Sequence, residues 1–110
     1  GHPWLYSPAD VRDVADACLC VLTHPTAVGE VFNVALSRPF SFEEVANYFA
    51  EHTDMDTAVV EIELPVCWVY WSDTRKVKSL IGYQPPGSIS RVFNTALAHE
   101  KGEPIDVIPA

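Results

Sequence analysis

The sequence predicts an α/β domain, or α+β when the chain is taken by itself, in which about four helices pack on one small sheet. Four segments carry apolar residues at helical spacing on one face, and each follows a residue that can cap a helix. Two shorter segments are apolar and rich in β-branched residues, as strands are. The 110 residues are 48% hydrophobic and contain no low-complexity run, so we expect a single domain, residues 1–110, with a modest core.

The first predicted element is a helix in the segment SPADVRDVADACLCVLTH. Ser7 is its expected N-cap and Pro8 its first residue, a position where proline is favoured. The helix should end near Thr23 because Pro25 cannot continue it. Its apolar face is expected to consist of Val11, Val14, Ala15, Cys18, Val21 and Leu22.

Two strands and a second helix are predicted in the middle of the chain. GEVFNVAL is short and apolar after a glycine, which indicates a buried strand. SFEEVANYFAEH opens with a capping box of Ser41 and Glu44 and continues with a helical stripe of apolar residues. TAVVEIEL alternates Val60, Ile62 and Leu64 with glutamates, the pattern of a strand with one solvated face. The next segment, VCWVYW, fits a strand, a turn lined with aromatic residues or the start of a helix.

Two further helices are predicted in the last third of the chain, and each has one apolar face that should pack on the sheet. TRKVKSLI follows Ser72 or Asp73 as cap and should stop at Gly82, because glycine readily adopts the left-handed conformation that ends many helices. SISRVFNTALAHEKGE has Ser88 as its expected cap and Gly102 as its stop. Its apolar stripe is Ile89, Val92, Phe93, Ala96 and Leu97.

The charge of the chain argues against two classes of partner. Seven Lys and Arg against fifteen Asp and Glu give a formal net charge of -8, which repels phosphate backbones and anionic lipid surfaces. We therefore expect no nucleic-acid partner and no membrane partner. No apolar stretch approaches the roughly 20 residues that span a bilayer, and the N-terminus lacks a signal-peptide pattern, so we expect a cytoplasmic protein. Gly1 and His2 are interpreted as a tag remnant.

The residue types that usually carry chemistry are present, but their spacing is not that of a catalytic or metal site. Cys18, Cys20 and Cys67 lack metal-ligand spacing, so we expect reduced thiols and no metal. The glycines form no phosphate-cradling cluster, and no nucleophile motif is present. Adjacent acids such as Glu43 and Glu44 are expected to be solvated or capping. We predict no catalytic and no cofactor-binding residue in this chain.

Four motifs stand in a fixed order along the chain. They are V-x-D-V-A at residues 11–15, G-x-x-[FY]-N-[VI] at 29–34, [ST]-x-x-E-[VL] at 41–45, and D-x-x-K-x-x-x-x-[IL]-G-[WYF]-x-P at 73–85. With these motifs in this order, the chain resembles the C-terminal part of the NAD(P)-dependent epimerase/dehydratase family, the extended short-chain dehydrogenases. The resemblance covers about residues 9–103.

The resemblance implies that the chain is the smaller, substrate-binding region of a Rossmann-type enzyme and is catalytically silent alone. In the family, the catalytic Tyr-x-x-x-Lys pair and the glycine-rich loop belong to an N-terminal Rossmann half. None of the four tyrosines here has a lysine four residues later. The implied partner is therefore that missing half, and the implied cofactor of the parent protein is NAD or NADP. The implied substrate is a sugar-type small molecule, converted by an epimerase, a dehydratase or a reductase.

The resemblance also implies three candidate substrate-binding residues. Tyr70 falls where sugar-epimerising members have a residue at the border of the hexose pocket, although an aromatic residue of the core or of an interface would show the same pattern. Two arginines that grip a diphosphate in nucleotide-sugar members are replaced by Tyr6 and Glu63, which disfavours such a substrate. Arg38 and Arg75 could supply a compensating cation or could be solvated.

Further expectations concern the assembly of the chain. The first helix and the segment Phe32–Val34 would lie against the missing half, and their exposed apolar surface should produce a homo-oligomer. Asp73, Lys76 and Gly82 are expected to be scaffold residues. The alternative is a stand-alone acidic α/β module that binds another protein or a small ligand.

Overall fold

The computed structural model of the protein describes residues 4–54, 56–58, 60–63, 65–66, 69–86 and 88–105. In this part of the chain, three two-residue strands and four α-helices form an α+β arrangement, as predicted. The elements are β1 Leu5–Tyr6, α1 Val11–Thr23, a 3-10 turn Pro25–Ala27, β2 Phe40–Ser41, α2 Phe42–His52, β3 Val69–Tyr70, α3 Arg75–Ile81 and α4 Ser90–Glu100. Gly1, His2, Leu64, Cys67 and Trp68, which entered the predictions above, lie outside the described residues.

The sheet is mixed, in the order β2-β1-β3. Its central strand β1 pairs with β2 in antiparallel and with β3 in parallel, so that Tyr6 lies between Phe40 and Tyr70. Because each strand contains two residues, the sheet has few hydrogen bonds. Packing of the helices must therefore supply most of the stability of the fold.

The main core lies between α1, the 3-10 turn and α3. Its buried residues are Ala17, Ala27, Val77, Ile81 and Tyr83. Partly buried side chains pack around them, namely Cys20, Val21, Phe32 and Val34. Ala27 is small, so α1 and α3 can both approach the 3-10 turn closely. Val77 and Ile81, which are one helical turn apart, then fill the space between these elements.

A second cluster, made of aromatic rings, connects α4 to α2 and to the sheet. The centroid of the Phe93 ring lies 6.3 Å from that of Phe40, 5.2 Å from that of Tyr48 and 5.1 Å from that of Phe49. Ring pairs at such distances contribute about 0.5–1.5 kcal/mol beyond the burial of their area. The Tyr48 hydroxyl also donates to Oδ1 of Asn94 on α4. These contacts fix α4 against α2.

The start of α2 and the ends of α1 and α3 are where the sequence predicts them. At the start of α2, Oγ of Ser41 accepts from the Glu44 N–H at 3.2 Å, and the Glu44 carboxylate accepts from the Ser41 N–H at 2.9 Å. Helix α3 ends at Gly82, whose φ of 69° lies in the left-handed region. Helix α1 ends at Thr23, and Gly102, with φ 71°, follows α4. The N-caps of α3 and α4, in contrast, are Thr74 and Ile89 and not the predicted Ser72 or Asp73 and Ser88.

The predicted start of α1 is wrong by several residues. The N-cap is Asp10, whose carboxylate accepts from the Arg12 N–H, and the helix begins at Val11. Ser7 does not cap it because the Ser7 hydroxyl donates to the carbonyl of Leu36 at 2.8 Å and is buried there. The local pattern predicts Ser7 as the N-cap, but its side chain is engaged in a long-range hydrogen bond instead.

The strand predicted in GEVFNVAL is absent from the described residues, which include the whole segment. Ala35 and Leu36 at its end are buried, in agreement with its apolar character. Its backbone makes one contact of strand type, in which the Leu36 N–H donates to the carbonyl of Pro8 at 2.8 Å. The two β-branched residues of the segment do not share this burial, since Val31 is 80% exposed and Val34 is partly buried, so the composition indicates neither a ladder nor a uniformly buried segment.

The strand predicted in TAVVEIEL is also absent from the part of that segment that the structure describes. Val60 and Ile62, its expected inner residues, are 71% and 70% exposed. Alternation alone does not make a strand when no neighbouring strand is available for pairing. Of the three alternatives for VCWVYW, the strand is confirmed at Val69–Tyr70.

Candidate functional site

Tyr70, the main candidate from the sequence, lies on β3 and is 59% exposed. The centroid of its ring is 5.9 Å from that of Tyr6, which is 49% exposed. The two residues are register partners on adjacent strands, so their side chains leave the sheet on the same face. We call this pair the tyrosine platform. Tyr70 is therefore not a core residue, and its ring is open to a ligand or a partner surface.

Arg38 and Arg75 are not brought to the tyrosine platform by any described contact. Arg38 precedes β2, at the opposite edge of the sheet from β3, and its Nη1 donates to Oε1 of Glu44 at 2.8 Å. Arg75 begins α3 and donates to Asp73 through Nε and Nη2. Among the described residues, no hydrogen bond, ion pair or ring contact joins any two of the three predicted substrate residues.

Both arginines are engaged with carboxylates whose protonation they affect. Hydrogen bonds from the Arg75 side chain, and then from its backbone N–H, lower the pKa of Asp73 to about 2. The pKa of Glu44 is lowered by the hydrogen bond from the Ser41 N–H and by that from Arg38. The two acids are thus ionised at neutral pH, and each arginine already faces a negative charge.

Several residues of the family motifs contact one another. Nζ of Lys76 lies 2.7 Å from Oε2 of Glu30 and 5.4 Å from the centroid of the Phe32 ring. Nδ2 of Asn33 donates to the backbone carbonyl of Asp73 at 3.2 Å. These contacts hold the segment after the 3-10 turn against the start of α3. A scaffold role for Lys76 and for the backbone of Asp73 agrees with these contacts and stays a prediction.

A buried aspartate on α1 connects three helices. Asp13 is 5% exposed, and its Oδ1 accepts from Nη1 of Arg91 on α4 at 2.9 Å. Its backbone carbonyl accepts from the hydroxyl of Tyr83, which follows α3, at 2.9 Å. Burial raises the pKa of Asp13, and the negative charge of Asp10 raises it further. The side chain has the environment of a structural junction between α1, α3 and α4.

Asp10 and Arg12 lie next to this junction at the start of α1. Nε of Arg12 donates to Oδ1 of Asp10 at 2.8 Å, Nη2 donates to Oδ2, and the Arg12 N–H donates to Oδ1 at 2.8 Å. The side-chain hydrogen bonds lower the pKa of Asp10 to about 2, although burial acts in the opposite direction. The Arg12 side chain is held against the protein and is 17% exposed.

Helix α1 is apolar on two sides. Ala17 on its inner side belongs to the core, whereas Val11 and Leu22 at its two ends are 65% and 81% exposed. We define the outer α1 surface by its exposed apolar residues, which are Val11, Val14, Ala15, Cys18, Leu19 and Leu22. The expectation that each helix packs its apolar stripe on the sheet is wrong for α1. Most of the predicted stripe points away from the core, and only Val21 packs against it.

The described residues include two free cysteines, no cluster of metal-ligating side chains and no helix that could span a membrane. Within them, no group of three or more His, Cys, Asp or Glu side chains is placed to hold a metal ion. Cys18 is exposed and Cys20 is partly buried on α1, and both are free thiols. None of the described helices has the length and apolar character needed to cross a membrane.

Arg12 and Arg91 are the notable charged residues that sequence reasoning missed. Arg91 stands among the polar positions of α4, and nothing local connects it with Asp13, 78 residues earlier. For Arg12 a local signal was present, because an acidic residue two positions earlier can cap the helix and pair with the guanidinium at the same time.

Comparison with protein-family models, with curated proteins and with solved structures gave no match to this chain. A functional assignment must therefore start from the residues and contacts described above.

Proposed function

We propose that the chain is the substrate-binding C-terminal region of an NAD(P)-dependent epimerase, dehydratase or reductase of the extended short-chain dehydrogenase type. Its α+β fold is then the smaller part of a Rossmann-type enzyme. An N-terminal Rossmann half holds NAD or NADP and supplies the Tyr-x-x-x-Lys pair. The present chain forms one wall of the pocket for a sugar-type substrate.

The outer α1 surface is the observation that carries this proposal. A helix that is apolar on two sides is typical of a helix buried between two layers. Val11, Val14, Leu19 and Leu22 alone expose on the order of 500 Å², which is near the upper end of the patches found on soluble monomers. A Rossmann half packed on this side would bury the outer α1 surface as the core buries the inner side.

The total surface of the chain supports the same proposal. The accessible surface is 8242 Å², whereas a compact monomer of 12.2 kDa exposes about 6,000 Å². The difference of about 2,000 Å² exceeds the roughly 800 Å² that each partner buries in a standard interface. The chain therefore has enough uncovered surface for contact with a second folded unit.

Contacts between motif residues give further support. The hydroxyl of Tyr83 reaches the carbonyl of Asp13 across 70 positions, and Asn33 reaches Asp73 across 40 positions. Each contact joins one motif of the resemblance to another. Residues that hold a shared scaffold together are expected to meet in this way, so the contacts agree with a common origin of three of the four motifs, those at residues 11–15, 29–34 and 73–85.

The tyrosine platform is the part of the pocket wall that we assign to the substrate. Exposed tyrosine rings can stack on the apolar face of a sugar ring, and their hydroxyls can hydrogen-bond to sugar hydroxyls. Arg38 and Arg75 are already engaged with Glu44 and Asp73. We therefore propose a sugar-type substrate that lacks a nucleotide diphosphate.

The natural protein sequence upstream of Pro3 tests the proposed function directly. We expect a Rossmann half there, with a glycine-rich loop between a strand and a helix and, further along, a Tyr-x-x-x-Lys pair. An initiator methionine directly before Pro3, or an unrelated sequence, would contradict the proposal. Either result would instead favour the stand-alone acidic interaction module.

Binding experiments test whether the cofactor site lies in the Rossmann half and whether the chain binds that half through the outer α1 surface. Calorimetric titration of the chain with NAD⁺ and with NADP⁺ should show no saturable binding, because the chain has no glycine-rich phosphate loop. A separately expressed Rossmann half should bind the chain, and Leu22→Glu should weaken this binding at least about tenfold. Ile62→Glu, an equally exposed position outside the outer α1 surface, serves as the control and should leave binding unchanged. Saturable cofactor binding by the chain alone would contradict the assignment.

A further inference from the structure

A shallow, open surface pocket of about 430 Å³ lies between one face of α4, the start of α1 and the segment that follows α4. Its polar lining consists of Arg12, Ser90, Arg91, Asn94 and Thr95. The four residues from α4 are spaced so that they share one face of the helix. None of them belongs to the tyrosine platform or to the predicted substrate residues. The pocket is therefore a separate feature of the molecule.

The lining contains two arginines although the chain is acidic. None of its described lining residues is Asp or Glu. Each arginine is paired with an aspartate, Arg12 with Asp10 and Arg91 with Asp13. The two aspartates are 8% and 5% exposed, whereas the Arg91 side chain is 48% exposed. A ligand at the surface of the pocket therefore meets Arg91 and neutral hydrogen-bond donors, which favours an anion.

Several donors of the lining remain available to a ligand. Arg91 uses Nη1 for Asp13, and its Nε and Nη2 make no described hydrogen bond. Oδ1 of Asn94 accepts from Tyr48, so the Asn94 amide group remains as a donor. Oγ of Ser90 accepts from Ser88, which leaves the Ser90 hydroxyl hydrogen free to donate. Charged and neutral donors on three side chains suit a group with several acceptor oxygens, such as phosphate.

The remaining lining of the pocket is apolar. It consists of Ala98 from α4 and of Pro104 and Ile105 from the segment after it. A phosphate group alone would occupy only a small part of a pocket of about 430 Å³. The apolar wall can therefore contact a carbon group attached to the phosphate.

We propose that this pocket binds a small organic phosphate. Arg91, Asn94 and Ser90 donate hydrogen bonds to the phosphate oxygens, and the apolar wall contacts the organic part. Arg12 also lines the pocket, and its guanidinium group donates to Asp10, the N-cap of α1. The site is independent of the proposed function, because it uses neither the tyrosine platform nor the outer α1 surface.

Nuclear magnetic resonance of the ¹⁵N-labelled chain tests the site with two probes, inorganic phosphate and phenyl phosphate, at constant ionic strength. We expect saturable shifts of the backbone amides in residues 90–95 and of the Nε–H of Arg91. Phenyl phosphate should bind more tightly, because its ring contacts the apolar wall. Equal affinities would overturn the assignment to an organic phosphate in favour of free phosphate. No saturable shift with either probe would overturn the site itself.

Asn94→Asp is the most informative variant. It places a negative charge in the lining and keeps the oxygen that accepts from Tyr48. We expect the affinity for phenyl phosphate to fall at least about tenfold because of charge repulsion at short range. Asn47→Asp, on the exposed side of α2, makes the same change of net charge outside the pocket and should alter the affinity less than about twofold. An equal loss in both variants would overturn the site.

A second pair of variants keeps the test valid if Asn94→Asp does not fold. Ala98→Glu introduces a carboxylate into the pocket, whereas Ala96→Glu introduces one at an exposed position of α4 outside the lining. Only Ala98→Glu should abolish the shifts caused by phenyl phosphate. Unchanged binding in Ala98→Glu, with the fold verified by its spectrum, would overturn the proposal.

Discussion

Asp10 and Asp13 stand one helical turn apart at the start of α1, and their proton affinities are shifted in opposite directions. Two arms of the Arg12 guanidinium contact Asp10, which lowers its pKa to about 2. Asp13 receives one hydrogen bond from Arg91, and its burial together with the charge of Asp10 raises its pKa. Ionisation of Asp10 therefore stabilises the fold, whereas ionisation of Asp13 opposes it.

The substitution Asp10→Asn removes the charge and retains a side chain that can cap α1. We expect the free energy of unfolding at pH 7 to fall by about 2 kcal/mol, since the pKa of Asp10 is about 2 in the folded chain against 3.8 as its ordinary value. This stabilisation is present above about pH 4 and is lost as the pH falls towards 2. Urea denaturation at several pH values should show the two proteins converging near pH 2. A constant difference down to that pH would contradict the assignment.

The substitution Tyr83→Phe removes the hydroxyl that donates to the carbonyl of Asp13 at 2.9 Å. Tyr83 is buried, so the loss of this hydrogen bond should destabilise the fold by about 1 kcal/mol. Tyr70→Phe makes the same chemical change at an exposed site without a described hydrogen bond, and its stability should equal that of the wild type. Equal unfolding midpoints for the two variants in urea would show that the buried hydrogen bond contributes nothing.

At the scale of elements, the features that could be predicted from the sequence are those with local causes. The capping box of Ser41 and Glu44 uses side chains three positions apart, and the end of α3 depends on the backbone of Gly82 alone. The start of α1 could not be predicted, because Ser7 is engaged by Leu36 29 residues later. The predicted strands failed for a similar reason, since pairing depends on distant neighbours.

The features of the candidate site that could not be predicted from the sequence also depend on residues far apart along the chain. The exposure of Tyr70 depends on its position in β3 at the edge of the sheet, which the ambiguous segment VCWVYW did not reveal. The proposed phosphate pocket combines Arg12 with Arg91 and Asn94, which lie about 80 positions away along the chain. Such a combination follows from the ion pair between Arg91 on α4 and Asp13 on α1, for which the sequence contains no pairwise signal.

Substitution of Gly82 tests the end of α3. Its φ of 69° is unfavourable for an L-residue, and a Cβ added there would meet no atom within 4 Å. The cost of Gly82→Ala should therefore come from the backbone alone, at about 1 kcal/mol. Gly82→Asn should cost less, because asparagine tolerates the left-handed conformation better than alanine. Thermal unfolding of both variants checks this order, and a more stable alanine variant would contradict it.

At the scale of the whole molecule, the described chain has two packing centres and one uncovered side. The core between α1 and α3 and the aromatic cluster between α2 and α4 are connected through the polar junction of Asp13. Neither centre covers the outer α1 surface. Under the proposed function, a Rossmann half would cover this surface.

In the absence of that half, we expect a second copy of the chain to cover the outer α1 surface. Sedimentation velocity should show self-association that increases with protein concentration. Association should also strengthen with salt, because each copy carries a formal charge of -8 and screening reduces the repulsion between copies. Leu22→Glu should shift the equilibrium towards the monomer by at least about tenfold without loss of stability, since Leu22 is 81% exposed. Ile62→Glu adds the same charge at another exposed position and serves as the control, so it should leave association unchanged. A wild-type chain that stays strictly monomeric at high concentration would contradict the role of the outer α1 surface.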